Sequence, residues 1–323
     1  MISVTYSAGS YGRQAKKIVN KGTEEAMNRG YIKDIHLKHT DLDYIKEPID
    51  IYHCHSSYSL KGIIKAKSLG AKVILQRDSS HCTPFVDNLE KEESKWRNTE
   101  YKFLCDNNAR NRTDFDSQIA EYDNADYILL ASKLERNSFL KMGYPKEKLK
   151  VIPFTADCEI FYPMNKKHDF SVVLGGNQHL RKGYPYAKEA CKQAGIPLNV
   201  IDGITFEQVP NELNQHTVIL APSADDGYPH QVLAGMACGL IPIVSTLNGV
   251  KDIIINKKNG FIVNLNDNDV IKQIADVLRY LKENPKKAKQ ISLKARKTIE
   301  KRTWEDYSND VANFYEEIIG ELK

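Results

Sequence analysis

The feature that most constrains this chain is an alternation. Short runs of β-branched and apolar residues recur between longer stretches with helical spacing, the pattern that lays down a parallel sheet covered by helices on both faces. Strand candidates in the first half are Ile2–Tyr6, Ile49–His55, Lys72–Leu75, Tyr127–Ala131 and Lys150–Phe154, with helices over Arg13–Arg29 and Ser59–Leu69. Ser132 followed by Glu135 forms a capping box opening a helix that Gly143 and Pro145 close. A second series begins at Phe170, with strands Phe170–Leu174, Leu198–Ile201, Thr217–Ala221, Ile241–Ser245 and Gly260–Val263. The alternation therefore predicts two α/β domains, in keeping with 323 residues at the usual domain size. The boundary is expected near residues 155–168, where Pro153, Pro163 and a polar run interrupt the pattern. After Asn264 the chain turns helical, and Trp304, Tyr307, Val311, Phe314, Tyr315 and Ile318 form an apolar stripe that must be buried somewhere.

Composition excludes several classes. A chain 41% hydrophobic and 27% charged is neither disordered nor fibrous, and a net charge of +4 over this length is too small to argue for nucleic acid. No apolar stretch approaches the about 20 residues of a spanning helix, and the N-terminus lacks a signal-peptide pattern, so a cytoplasmic location is expected. The six cysteines are scattered singly, as reduced thiols would be. His53-Cys54-His55 looks metal-like, but neighbours in a strand point to opposite faces and cannot all reach one ion. Lys282–Arg302 carries nine basic residues against two acidic ones. A solvated helix face explains it, and attraction to an anionic membrane surface is the functional alternative.

In doubly wound sheets, ligands bind beyond the carboxyl ends of the strands, so the strand-to-helix loops are the places to look for chemistry. The loop after the first strand contains Gly9, Ser10 and Gly12, small enough for backbone amides to approach an anion; a plain turn explains it equally well. In Gln76-Arg77-Asp78-Ser79-Ser80-His81, Arg77 could clamp a phosphate and His81 could donate to a sugar hydroxyl or phosphate oxygen. The loop opening the second domain holds Gly176 and Asn177 and then the adjacent cations Arg181 and Lys182, suited to neutralising a diphosphate. The most specific passage runs from Ala221 to Val244. A strand there ends at Asp225-Asp226, followed by Gly227-Tyr228-Pro229-His230-Gln231-Val232 and a small-residue helix stopping at Gly239.

This last passage resembles the donor-binding signature of glycosyltransferase family 4, the retaining nucleotide-sugar transferases of the GT-B fold. Glu121–Ile128, Ser132–Phe139, Lys148–Pro153 and Phe161-Tyr162-Pro163 look like the interdomain region of that family, Arg181-Lys182-Gly183 like its phosphate-binding segment, and Asn259–Val263 and Thr303-Trp304-Glu305 like its closing elements. The resemblance implies an α/β fold of two Rossmann-like doubly wound domains facing a cleft. An acceptor-side domain would span 1–157, joined by a returning helix over 303–323, and a donor domain 158–302. It further implies that Arg181, Lys182, Gly176 and Asn177 bind the donor diphosphate, that Asp226 with Arg77 or His81 serves the reaction, and that no metal is needed. The family has two glutamates separated by seven residues. Here these positions are Asp226 and Ala234, so the carboxylate that would bind the nucleotide ribose is missing. Many members carry a histidine where this chain places Arg77, with His81 four residues on.

The leading expectation is a retaining glycosyltransferase moving a sugar from a nucleoside diphosphate, as a UDP- or GDP-sugar, to a hydroxyl of a glycan or lipid-linked acceptor. It would work in the cytoplasm or at the inner face of the membrane, with no cofactor and no nucleic-acid partner. Two alternatives remain: a non-catalytic sugar-binding or scaffold relative, motivated by Ala234, and a sugar-nucleotide epimerase on a related fold.

Overall fold

The computed structural model describes residues 2–7, 13–36, 42, 44–105, 114–164 and 169–320, without the side chains of 13–20 and 34–36. The first sheet contains β1 (Val4–Ser7), β2 (Ile32–His36), β3 (Ile51–His55), β4 (Lys72–Gln76), β5 (Tyr127–Leu130) and β6 (Leu149–Val151). All pair in parallel, in the order β2-β1-β3-β4-β5-β6. The second contains β7 (Val172–Leu174), β8 (Leu198–Val200), β9 (Val218–Ala221), β10 (Ile241–Ser245) and β11 (Phe261–Val263), again parallel, in the order β11-β10-β9-β7-β8.

Strand alternation sorts side chains into a core on each face of each sheet. Ile51, Ile74 and Leu129 face one side of the first sheet, whereas Tyr52, Cys54, Val73, Leu75, Ile128 and Leu130 face the other. His53 and His55 share a face, their rings parallel at 6.4 Å, while Cys54 is buried on the opposite side. In the second sheet Val172, Leu174, Val218 and Leu220 oppose Val173, Ile219 and Ala221.

Strand β2 has no counterpart in the sequence reading. Ile-Lys-Asp-Ile-His pairs only with β1 at the sheet edge, where charged residues are tolerated and the apolar signal is correspondingly weak. The capping box forms as expected: Ser132 Oγ accepts from the Glu135 amide at 3.2 Å, and Glu135 Oε2 accepts from the Ser132 amide at 3.0 Å. The helix Trp304–Gly320 returns to the first sheet and buries Tyr307, Val311, Phe314, Tyr315 and Ile318 with Val4, Tyr6 and Ile51. Each such side chain contributes about 1.5–3 kcal/mol relative to exposure. The Tyr315 hydroxyl reaches His53 Nδ1 at 2.6 Å, and Ser308 Oγ accepts from the Glu25 amide at 2.6 Å.

The helix Cys82–Trp96 leans on the second domain. Asn88 Nδ2 donates to Asp225 Oδ2 at 3.0 Å, Lys95 Nζ to the Leu265 carbonyl at 2.9 Å, and the Tyr186 hydroxyl to Glu92 at 2.6 Å. In the lysine-rich stretch, the helix Pro285–Ile299 buries Ala288, Ile291, Ala295 and Ile299 and turns Lys286, Lys287, Lys289, Lys294 and Lys297 to solvent. Arg296 is instead structural, donating to the carbonyls of Phe161 and Ala237. No helix among the described residues is long and apolar enough to cross a membrane.

Candidate active site

The second sheet changes direction between β7 and β9: the chain passes from β7 outward to β8 and then returns to the other side of β7. Ligands bind at such switch points, beyond the carboxyl ends of the strands. The two loops that leave this point are 175–183, after β7, and 222–229, after β9, and they are locked together. The Ala224 amide donates to the Arg181 carbonyl at 2.8 Å. Gly183, with φ +75°, passes so close to the second loop that a Cβ there would overlap the Pro222 carbonyl.

Where the loops meet, one carboxylate lies between two cations. Lys182 Nζ donates to Asp226 Oδ2 at 2.6 Å and Arg181 Nη1 to Asp226 Oδ1 at 3.1 Å and to the Asp225 carbonyl at 2.9 Å, while Ser223 Oγ donates to Asp226 Oδ2 at 3.2 Å. Burial lowers the pKa of Lys182, and Asp226 opposes that shift. The Asp226 backbone is pinned as well: its amide donates to the Leu247 carbonyl and its carbonyl accepts from the Gly249 amide. Among these three side chains two cations face one carboxylate, and both cations carry donors suited to charge-assisted hydrogen bonds with a diphosphate.

The other sequence-nominated residues of this domain lie on the same two loops and on the helix that follows the second. Gly176 lies against the aliphatic part of Lys182, and Asn177 is exposed at the loop tip. Tyr228 and Val232 are buried, and Tyr228 meets Phe154 edge-on. The His230 ring lies parallel to Phe154 at 5.2 Å and to Trp304 at 5.7 Å, which ties the donor-loop helix His230–Ala237 to the returning C-terminal helix. Its Nε2 is buried without a partner, and burial lowers its pKa to about 4. Pro229 precedes that helix and Gln231 is half-buried on its first turn. Ala234 is 2% exposed in the apolar layer beneath. The nominated Gly9, Ser10 and Gly12 lie outside the described residues.

The other two nominations from the first domain, Arg77 and His81, are engaged within that domain. His81 is the N-cap of the helix Cys82–Trp96, its Nδ1 accepting from the Thr83 amide at 3.2 Å, and its ring packs among Tyr122, Phe139 and Tyr144. Burial lowers its pKa to about 4. Arg77 points back to the Ser80 carbonyl through Nε and Nη2, at 3.3 and 3.2 Å, and to Ser56 Oγ at 3.3 Å. Two residues of this loop meet the donor loop, Ser80 at Asp225 and Asp78 at Gly227. The Asp78 carbonyl oxygen would stand 2.6 Å from a Cβ on Gly227, and the Asp78 carboxylate accepts from Gln76 Nε2 at 3.1 Å and lies 3.7 Å from His55 Nδ1.

Two more carboxylates meet here that sequence reasoning did not nominate. Asp225 is fully buried, with Oδ1 unpartnered, and burial raises its pKa. Glu135, also fully buried, spends Oε2 on the Ala131 and Ser132 amides and presents an unpartnered Oε1 to Gly227. Burial and the Asp78 charge push its pKa well above the usual carboxylate range. The capping box was a visible signal for Glu135 as a helix start; its second role depends on the other domain.

Comparison with known proteins bears on both domains. Sucrose-phosphate synthase from Thermosynechococcus elongatus superposes with a TM-score of 0.72 at 13% identity, covering 99% of this chain and 100% of that one. HepE from Anabaena, solved in complex with UDP, gives 0.71 at 11% identity over 98% and 100%. A glycosyltransferase from Rickettsia africae gives 0.68 at 14% identity over 98% and 99%. The two facing α/β domains with a C-terminal helix thus form the GT-B arrangement. No curated protein matches the chain in sequence. Residues 161–298, which contain the Arg181–Lys182–Asp226 cluster, match the family described as Glycosyl transferases group 1.

Proposed function

We propose that this protein is a retaining glycosyltransferase that moves a sugar from a nucleoside diphosphate to a hydroxyl acceptor in a glycan or glycolipid. The observation that carries this reading is Asp226 held between Arg181 and Lys182 at the switch point of the second sheet. When the bond between the anomeric carbon and the diphosphate oxygen breaks, negative charge collects on the leaving group. Fixed cations in a partly desolvated loop stabilise that charge with little reorganisation. In this proposal Arg181 and Lys182 do this work without a metal ion. Asp226, oriented by both, accepts hydrogen bonds from the donor sugar. The HepE structures, solved with UDP, with UDP and glucose, and with UDP-glucose, support a nucleoside-diphosphate sugar as donor. The outward lysines of the helix Pro285–Ile299 support contact with an anionic surface, where a lipid-linked acceptor would reside.

The test is a panel of UDP-, GDP-, ADP- and CMP-linked sugars, read by released nucleotide and by thermal stabilisation together. Saturable stabilisation is expected, about 2.7 kcal/mol at a hundredfold excess over Kd. A folded protein silent across the panel would overturn the reading. Ala234, which cannot bind a ribose hydroxyl, favours the scaffold alternative; donor hydrolysis abolished by Arg181→Ala would exclude it.

A further inference from the structure

Just beyond β3, two consecutive non-glycine residues hold left-handed backbone, Ser57 with φ +73° and Tyr58 with φ +77°. Such a conformation costs an L residue about 1–3 kcal/mol, and it persists only where the surroundings enforce it. Here a buried carboxylate enforces it. Glu121 is fully buried and accepts from the Ser57 amide at 2.8 Å and from the Ser59 amide at 2.6 Å. Ser59 Oγ closes the turn on the His55 carbonyl at 2.6 Å. This framework presents the Tyr58 side chain to solvent, 79% exposed. A tyrosine held outward on a strained, clamped backbone serves no packing purpose.

Its position supplies one. The first sheet changes direction between β1 and β3, since the chain goes outward to β2 before returning beyond β1, so the loop bearing Tyr58 borders the switch point of that sheet. The loop is also tied to the one that meets the donor side. The Ser56 amide donates to the Gln76 carbonyl at 2.8 Å and Arg77 Nη1 to Ser56 Oγ at 3.3 Å, and two residues beyond Gln76 the Asp78 carbonyl rests against Gly227, next to Asp226.

We propose that Tyr58 is the stacking platform of a carbohydrate-acceptor subsite on the first domain, resting on the glycosyltransferase reading above. The C–H face of an acceptor pyranose lies on the phenol ring. A tyrosine whose backbone is already fixed gives up little further freedom when it is covered.

The test uses the full chain with UDP and four probes: the methyl glycosides of glucose, galactose, mannose and N-acetylglucosamine, read by saturation-transfer NMR. Saturation of the ring protons of at least one glycoside is expected in the wild type. Tyr58→Gly should weaken that glycoside about tenfold or more, with thermal stability unchanged or raised because glycine accepts this backbone freely. Tyr58→Trp should retain binding. Saturation unaffected by Tyr58→Gly, no saturation of any glycoside in the wild type, or a fall in Tm for Tyr58→Gly would each overturn the proposal. Calorimetry with UDP, GDP, ADP and CMP is run in parallel. Absence of binding of all four nucleotides to the wild type would sink the donor reading, whereas a Tyr58-dependent sugar signal would stand without it.

Discussion

The unpartnered Oε1 of Glu135 occupies the space that a side chain on Gly227 would need, so the capping box of the first domain and the donor loop of the second fit only because residue 227 is glycine. The contact continues at Gly249, where a Cβ would overlap the Gly227 carbonyl and crowd Ser132 Oγ at 2.6 Å. Gly227→Ala is therefore expected to force the domains apart. The cost should be about 1–3 kcal/mol, as for overpacking elsewhere, and the radius of gyration by small-angle scattering should rise while each domain keeps its secondary structure. An unchanged scattering profile with unchanged stability would contradict this contact.

Glu135 also makes a prediction about pH. Its folded-state pKa is raised above the ordinary 4.5, first by burial and then by the Asp78 charge. The folded state therefore holds its proton more tightly than the unfolded chain, and stability drains away as pH rises from about 4.5 toward the folded pKa. Glu135→Gln keeps a neutral group of the same shape at every pH and so removes the titration. As pH rises above about 4.5 the variant should gain on the wild type, with a slope of up to about 1.4 kcal/mol per pH unit, read from urea midpoints. Parallel curves would show that Glu135 is ionised in the folded protein.

His230 works in the opposite direction. Burial lowers its pKa from 6.5 to about 4, so the folded state sheds its proton first. The stability this represents is complete above pH 6.5 and is lost as pH falls toward 4. His230→Phe keeps a ring parallel to Phe154 and Trp304 without a titrating nitrogen. Across pH 6.5 to 4 the variant should lose about one proton's worth of acid sensitivity, again up to about 1.4 kcal/mol per pH unit, measured as the difference between the two denaturation series.

Arg181, Lys182 and Asp226 should separate binding from transfer. Lys182→Ala removes a charged hydrogen-bond donor worth about 1.5–3 kcal/mol, so nucleotide Kd should rise by roughly ten- to a hundredfold. Asp226→Asn removes the anion that both cations contact, so nucleotide affinity should hold or improve while transfer falls. Calorimetry with UDP and GDP, alongside turnover, checks both. A weaker nucleotide complex in Asp226→Asn would mean that Asp226 positions the cations rather than serving the sugar.

The fold was legible because its signals are local: the β-branched runs of β3, β4, β9 and β10, the Ser132–Glu135 box and the Tyr307–Ile318 stripe each lie within one stretch of chain. The charged edge strand β2 carried no such signal. Within the candidate site, Arg181, Lys182 and Asp226 were legible from loop composition and family resemblance, and the structure brings them within hydrogen-bonding distance. Asp78, Glu135 and Asp225 were not, because what distinguishes them is contact across the cleft. Asn88 and Asp225 are 137 residues apart, and no periodicity connects them. Arg77 and His81 looked available in sequence for the same reason, since their engagement with Ser80, Ser56 and Thr83 exists only in the folded loop.

Ala234 offers the sharpest test of how far this site departs from the two-glutamate pattern that the sequence resembles. The residue sits one turn into the helix His230–Ala237, 2% exposed, among Val232, Leu233 and Met236. A glutamate placed there enters an apolar layer, so Ala234→Glu should destabilise the protein by burying a carboxyl. A bound nucleotide would change that balance by offering ribose hydroxyls to the new carboxylate. The expected signature is therefore a lower Tm alone and a larger nucleotide-induced rise in Tm than the wild type shows, since a ligand stabilises in proportion to its affinity for the folded state. If UDP and GDP raise both proteins equally, position 234 does not face the ribose in this chain. The absence of a glutamate there would then carry no argument for lost activity.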